Sequence, residues 1–388
     1  MKNILLRGPF LTSSGYGVHS RQIARHFLEN YKDCNIKIEP LNWGLTSWKI
    51  NPEDEDGLIG KIMSRTGDKF SGKPDLSVQI QLPNEWDSNL AKVNVGVTAG
   101  IETDKCNPSW IECINKMNAV IVPSKHVKDT FENTSKNITT PIEIIPESFH
   151  DSFLGEPKDL NLDLNTNFNF LLVGQLTAQT PEEDRKNTFY AIKWFCEQFK
   201  ERKDVGLIVK TNRGRNTTLD YKVVLNMFTK LIREVRVGDY PKIHFLHGNL
   251  STPQMNSLYR DQSIKALLAP TKGEGYGLPI LESAVCGLPV IATNWSGHLD
   301  FMKLGKFISL DYSLIPISQQ RTDNNIFIEG SKWAMPYEED FKRKIEKFVK
   351  KGDSIPKKWA LDLAEKLKEN YSHQKISKIY LEFFKEYL

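Results

Sequence analysis

Short β-branched and apolar runs alternate with helical stretches along this whole chain, and that rhythm admits little besides parallel sheets covered by helices. Residues 4–6 open the series, a glycine-bearing loop over 12–17 follows, and a helix is predicted through 21–29. Val93–Val97, Ala119–Val122 and residues 143–145 read as further strands, and Ser124 stands where a helix N-cap belongs, ahead of 125–131. The sequence then turns polar over 150–167, with Gly155, Pro157 and clustered asparagines, and reads as a linker. A second series begins beyond it: strands over 168–173, 206–209, 242–245, 266–268 and 289–292, with helices over 184–201, 219–235, 253–259 and 278–286. Two doubly wound α/β domains in tandem are predicted, residues 1–155 and 156–365, and a C-terminal helical pattern over about 366–388 is expected to pack back on the first. Open α/β sheets bind ligands beyond the carboxyl ends of their strands, so two facing sheets predict a central cleft.

Length and composition agree. At 388 residues the chain exceeds one ordinary core, and 39% hydrophobic against 26% charged residues is globular composition. The cysteines Cys34, Cys106, Cys113, Cys196 and Cys286 are scattered and odd in number, which argues against a disulfide framework or a zinc site and for a reducing, cytoplasmic setting. No apolar run approaches the roughly 20 residues of a membrane span, and any membrane contact is expected to be peripheral. A net charge of +4 permits an anionic ligand without requiring nucleic acid.

The chemistry concentrates in residues 269–300, APTKGEGYGLPILESAVCGLPVIATNWSGHLD. A strand ends at Pro270, a loop carrying Gly273, Gly275 and Gly277 follows, and Leu278-Pro279 opens a helix, with proline suited to the first turn. Glycines let the backbone approach a ligand, and the amides and dipole of the helix start favour phosphate. Glu274 lies in the loop and Glu282 about one turn into the helix, where carboxylates can accept hydrogen bonds from sugar and ribose hydroxyls. A nucleotide sugar needs that combination.

This stretch closely resembles the E-x7-E signature of family 4 of the retaining GT-B glycosyltransferases. Pro270, Thr271, Glu274, Gly275, Tyr276, Gly277, Leu278, Glu282, Gly287, Pro289, Val290 and Ile291 all sit where that pattern has its fixed positions. The resemblance extends to 13–17, to Val122-Pro123-Ser124, and to Ile144-Ile145-Pro146 with Phe153. It implies a GT-B fold, a nucleoside-diphosphate sugar donor linked to UDP or GDP, a hydroxyl acceptor and retention of anomeric configuration. No metal and no separate cofactor are implied, because fixed positive groups take the metal's place at the diphosphate. Asp54-Glu55-Asp56 matches a DxD pattern formally, but it falls in the acidic run 53–56 and reads as solvated charge.

By the same resemblance Glu274 contacts the donor sugar, Glu282 holds the ribose, and Gly275, Tyr276, Gly277 and Leu278 present backbone amides. Relatives commonly carry an Arg after the first strand of the C-terminal domain, where this chain has Val173-Gly174-Gln175. The missing charge then falls to Arg185, Lys186 or Lys210, with Lys186 first. In the first domain Gly15, Tyr16 and Gly17 are expected at the donor phosphates and Glu102 near the reacting sugar, while His19 and His126 read as structural. Trp295–His298 is a further candidate lining for the donor pocket. The acceptor remains open among saccharide, lipid, protein, small metabolite and a modified nucleic-acid base, with the aromatic-bearing loops over 41–68 and 83–86 on its side. A GT-B isomerase and a catalytically silent nucleotide-sugar-binding protein are the rival readings.

Overall fold

The computed structural model describes residues 1–176 and 178–388. They form two compact units: unit 1 comprises Met1–Ser148, Asn324–Ile328 and His373–Leu388, and unit 2 comprises Phe149–Asp323 and Glu329–Ser372.

Unit 1 runs β1 (Asn3–Gly8), α1 (Gly15–Asn30), β2 (Asn35–Pro40), α2 (Leu58–Met63), β3 (Leu76–Ile80), β4 (Val93–Val97), α3 (Ser109–Ile114), β5 (Ala119–Val122), α4 (Lys125–Thr134) and β6 (Ile142–Ile144). Among the described residues its strands make one six-stranded sheet, ordered β2-β1-β3-β4-β5-β6 and parallel at every pairing. Alternate residues of β1, Ile4 and Leu6, join Val78, Ile80, Val95 and Val97 in the core, where Ile23 and Phe27 of α1 cover them. The C-terminal helix His373–Phe384 closes this core: Phe384 meets Phe27 edge-on at 4.9 Å, and His26 Nδ1 and Ser377 Oγ are hydrogen-bonded at 2.7 Å.

The glycine segment is shorter as a loop than its sequence suggests, because Ser14 caps α1 by accepting a hydrogen bond from the Gly17 amide. Gly15, Tyr16 and Gly17 are therefore first-turn residues. The acidic run also differs from expectation. Glu55 is 12% exposed and accepts hydrogen bonds from the buried Arg21, whose guanidinium also donates to the Phe10 and Thr12 carbonyls. A buried arginine requires a carboxylate partner, and that demand outweighs the solvation of this one member of the run.

Unit 2 runs β7 (Phe168–Gln175), α5 (Thr188–Gln198), β8 (Val205–Asn212), α6 (Thr218–Val235), β9 (Lys242–His247), α7 (Thr252–Tyr259), β10 (Ile264–Ala269), α8 (Leu278–Val285), β11 (Val290–Thr293), α9 (Leu299–Met302), β12 (Ile308–Leu310), the antiparallel hairpin β13 (Tyr312–Pro316) and β14 (Lys332–Pro336), α10 (Glu338–Lys351) and α11 (Ser354–Tyr371). Among the described residues, β7–β12 make a six-stranded parallel sheet ordered β12-β11-β10-β7-β8-β9. β8 is buried almost end to end, as a central parallel strand with helices on both faces must be. Apolar clusters flank the sheet, one built on Leu171, Leu267, Leu281 and Val285, the other on Phe170, Leu207, Phe195 and Phe341.

Three element boundaries depart from the sequence reading. The stretch read as a linker is attached to unit 2, since Phe149 and Phe153 are buried in its core and Asn256 Nδ2 donates to the Gly155 carbonyl. The predicted helix over 184–201 begins only at Thr188: Asp184 instead accepts hydrogen bonds from the amides of Lys186, Thr188 and Phe189, and Asn187 takes a left-handed φ of 58°. The single C-terminal helix is two helices, broken at Ser372, whose backbone is extended.

Candidate functional site

In unit 2 the strand order reverses between β7 and β10, and ligands of open α/β sheets settle where the loops leave such a pair of strands. The loop after β7 carries Arg185 and Lys186, and the loop after β10 carries Glu274. They meet. Lys186 Nζ donates to both carboxylate oxygens of Glu274 at 2.7 and 3.0 Å, and Arg185 Nη1 donates to Glu274 Oε2 at 3.2 Å and to the Gly273 carbonyl at 2.7 Å. Gly174 gives the lysine its path across β7, since a Cβ there would stand 3.2 Å from Lys186 Cγ. Arg185 is thus an engaged residue, not a solvated charge.

Glu274 is 5% exposed. Burial by itself raises a carboxyl's pKa, but Lys186 and Arg185 outweigh it and hold this one at about 2. Its backbone is equally fixed, the amide donating to Ser296 Oγ and the carbonyl accepting from the Gly297 amide, both at 2.9 Å. The loop after β11, expected as pocket lining, therefore braces the glutamate from behind. His298 in that loop is buried, with Nε2 2.8 Å from the Thr293 carbonyl.

Gly277 caps α8 with a left-handed φ of 102°, and its carbonyl accepts from the Ile280 and Leu281 amides at 2.9 and 3.1 Å, while Pro279 has no amide, so the first turn offers a ligand chiefly the positive end of the helix dipole. Tyr276 is buried with its ring against Phe301 at 5.3 Å, so its ring belongs to the core. Glu282 lies on α8, and Tyr259 Oη donates to its Oε2 at 3.2 Å. Part of Glu282 reaches solvent, but its carboxyl lies deep, and burial pushes it up to about 8. Lys210 stands one strand over, level with Val173, and its ammonium donates to the Gly248 carbonyl at 2.7 Å; burial lowers it to about 8.

The candidates of the first domain are held within unit 1. Tyr16 Oη is 2.8 Å from Thr98 Oγ1 and accepts from the Ala99 amide, and its ring lies 4.6 Å from that of Trp43. Gly17 is required sterically, because a Cβ would stand 2.1 Å from the Thr12 carbonyl oxygen, whereas Gly15 faces open space. Glu102 is half-buried in the loop that follows β4, His19 is buried against Tyr380, and His126 lies in the first turn of α4.

Two residues that the sequence reading did not single out matter here, Lys272 and Tyr259, and Asp184, read only as part of the turn, proves to fix it. Lys272 sits inside the motif, and a lysine at a strand end beside a glycine loop was the available signal.

The comparisons with known proteins fall on this same region. Residues 226–313 match the family model for glycosyl transferases group 1. That segment contains both Glu274 and Glu282. A sucrose synthase from Melioribacter roseus is 26% identical over 175 residues, 42% of this chain, and the match spans 21% of that relative's own length. Among solved structures, a glycosyltransferase from Rickettsia africae superposes with a TM-score of 0.67 at 14% identity, covering 100% of this chain and 98% of its own. HepE from Anabaena, solved with UDP and glucose, superposes with a TM-score of 0.63 at 12% identity and covers 100% of both chains. At these identities the likeness is one of fold, two Rossmann-like units of the GT-B glycosyltransferase type. No helix among the described residues is long and apolar enough to cross a membrane.

Proposed function

We propose that this chain is a metal-independent, retaining glycosyltransferase that moves a sugar from a nucleoside-diphosphate donor to a hydroxyl acceptor. The observation that carries the reading is the Arg185–Lys186–Glu274 cluster beside the start of α8, at the strand-order reversal of unit 2. Two fixed cations and the positive dipole end of a helix are the groups a departing diphosphate needs, and their charge is preorganised. Glu274, kept ionised by its partners, accepts hydrogen bonds from donor hydroxyls, and Glu282 receives the ribose. The acceptor hydroxyl attacks the face the diphosphate leaves. Lys186 is the principal stabiliser in place of the arginine that Gln175 replaces, Arg185 supports it, and Lys210 of β8 is the third candidate. The glucose and UDP bound to HepE make a UDP-linked hexose the first donor to try, with GDP-linked sugars next.

Release of nucleoside diphosphate from a panel of sugar donors, with and without candidate saccharide, lipid, protein and modified-DNA acceptors, tests this. Acceptor-stimulated release from one donor class supports transfer. Tight donor binding with no release under any condition would leave a silent binding protein instead.

A further inference from the structure

Lys272 is 2% exposed, an unusual place for an ammonium group, and the glycosyltransferase reading assigns it nothing. Its Nζ donates to the Pro181 carbonyl at 2.7 Å and the Glu182 carbonyl at 3.1 Å, so it reaches across to the segment just ahead of the two cations. Its amide donates to the Arg185 carbonyl at 2.8 Å. From the other side, the Ala334 amide of β14 donates to the Lys272 carbonyl at 2.8 Å, and the Trp333 ring lies 5.0 Å from Nζ. The turn is fixed independently at its far end by Asp184, whose carboxylate accepts three backbone amides and lies near enough to Lys272 for mutual charge stabilisation. Burying a charge is costly unless it is hydrogen-bonded and compensated, and here the carbonyls, Asp184 and the aromatic faces of Trp333 and Tyr190 do that.

We infer that Lys272 is a positioning residue that straps the 181–186 turn to the glycine loop and so aims Arg185 and Lys186 at the anion they serve. Lys272 touches neither cation's charged end; it fixes the backbone from which both project. Only Gly273 separates it from Glu274, so one short segment supplies the glutamate and also the anchor for that glutamate's partners. Positioning of this kind acts on turnover, because a displaced cation still attracts a ground-state diphosphate but stabilises the leaving group poorly.

The inference rests on the proposed function, and a double-mutant cycle separates the two. Lys272→Met, Lys186→Ala and their combination are compared with wild type for donor turnover, with circular dichroism and thermal melting as fold controls. Lys272→Met is expected to lower kcat at least tenfold with a smaller change in KM, and to cost little further in the Lys186→Ala background, because both changes remove one effect. Lys272→Gln, which keeps a donor for the carbonyls, is expected to recover part of the rate. If Lys272→Met does not fold, Lys272→Gln replaces it in the cycle, with a several-fold loss of kcat that vanishes in the Lys186→Ala background. A folded variant with unchanged kcat, or losses that multiply in full, overturns the positioning role. Wild-type protein that neither binds nor turns over any donor defeats the functional reading, and this inference with it.

Discussion

At the scale of single residues, the site places Glu274 and Glu282, two carboxylates on one loop and its helix, in opposite electrostatic surroundings. Glu274 has two cations and stays ionised; burial pushes the Glu282 carboxyl up to about 8 and outweighs the hydrogen bond from Tyr259, which acts the other way. A folded-state pKa raised from the ordinary carboxylate range adds stability below the unfolded value, and that contribution is lost as pH rises through about 8. Glu282→Gln should therefore match wild type near pH 5 and become the more stable protein as pH approaches 8, as thermal melts across that range would show. Parallel melting profiles would contradict the assignment. Glu282→Ala should also weaken nucleoside-diphosphate binding by about 1–3 kcal/mol through lost hydrogen bonds. For Lys186→Ala the expected loss is in kcat, about 10²-fold or more, with partial recovery on adding Gln175→Arg. Full kcat in Lys186→Ala together with its loss in Lys210→Ala would move the role to Lys210.

At the scale of elements, the first turn of α1 combines a glycine that packing demands with one that packing ignores. Gly17→Ala drives a methyl into the Thr12 carbonyl and should destabilise unit 1 by about 1–3 kcal/mol in urea melts, whereas Gly15→Ala should be neutral or slightly stabilising. Equal effects would show that the loop has other room to move. The strands and the E-x7-E loop were legible because period and spacing are local: Val93–Val97 and Ala119–Val122 match their predicted bounds, and Ser124 caps α4. Residues 184–187 read both as a turn ahead of a helix and as the start of one, and the turn is what forms, because Asp184 captures the backbone amides of Lys186, Thr188 and Phe189. Arg185 and Lys186 could be singled out as charges, but their convergence on Glu274 depends on the order of β7 and β10, which no local pattern encodes. Lys272 escaped notice for the same reason, since its partners lie some ninety positions earlier in the chain.

Across the whole molecule, two parallel sheets with different strand orders each carry candidate residues beyond their strand ends, and the proposed donor site is in unit 2. In the proposed reaction a pair of fixed cations, Arg185 and Lys186, binds the diphosphate there without a metal. Calorimetric titration of nucleoside diphosphate in EDTA, into wild type and into the Arg185→Ala/Lys186→Ala double variant, addresses it most directly. Wild type should bind and the folded double variant should lose most of that affinity, with no rescue by Mg²⁺. Binding by wild type only when Mg²⁺ or Mn²⁺ is restored, or equal binding by the double variant, would contradict the account.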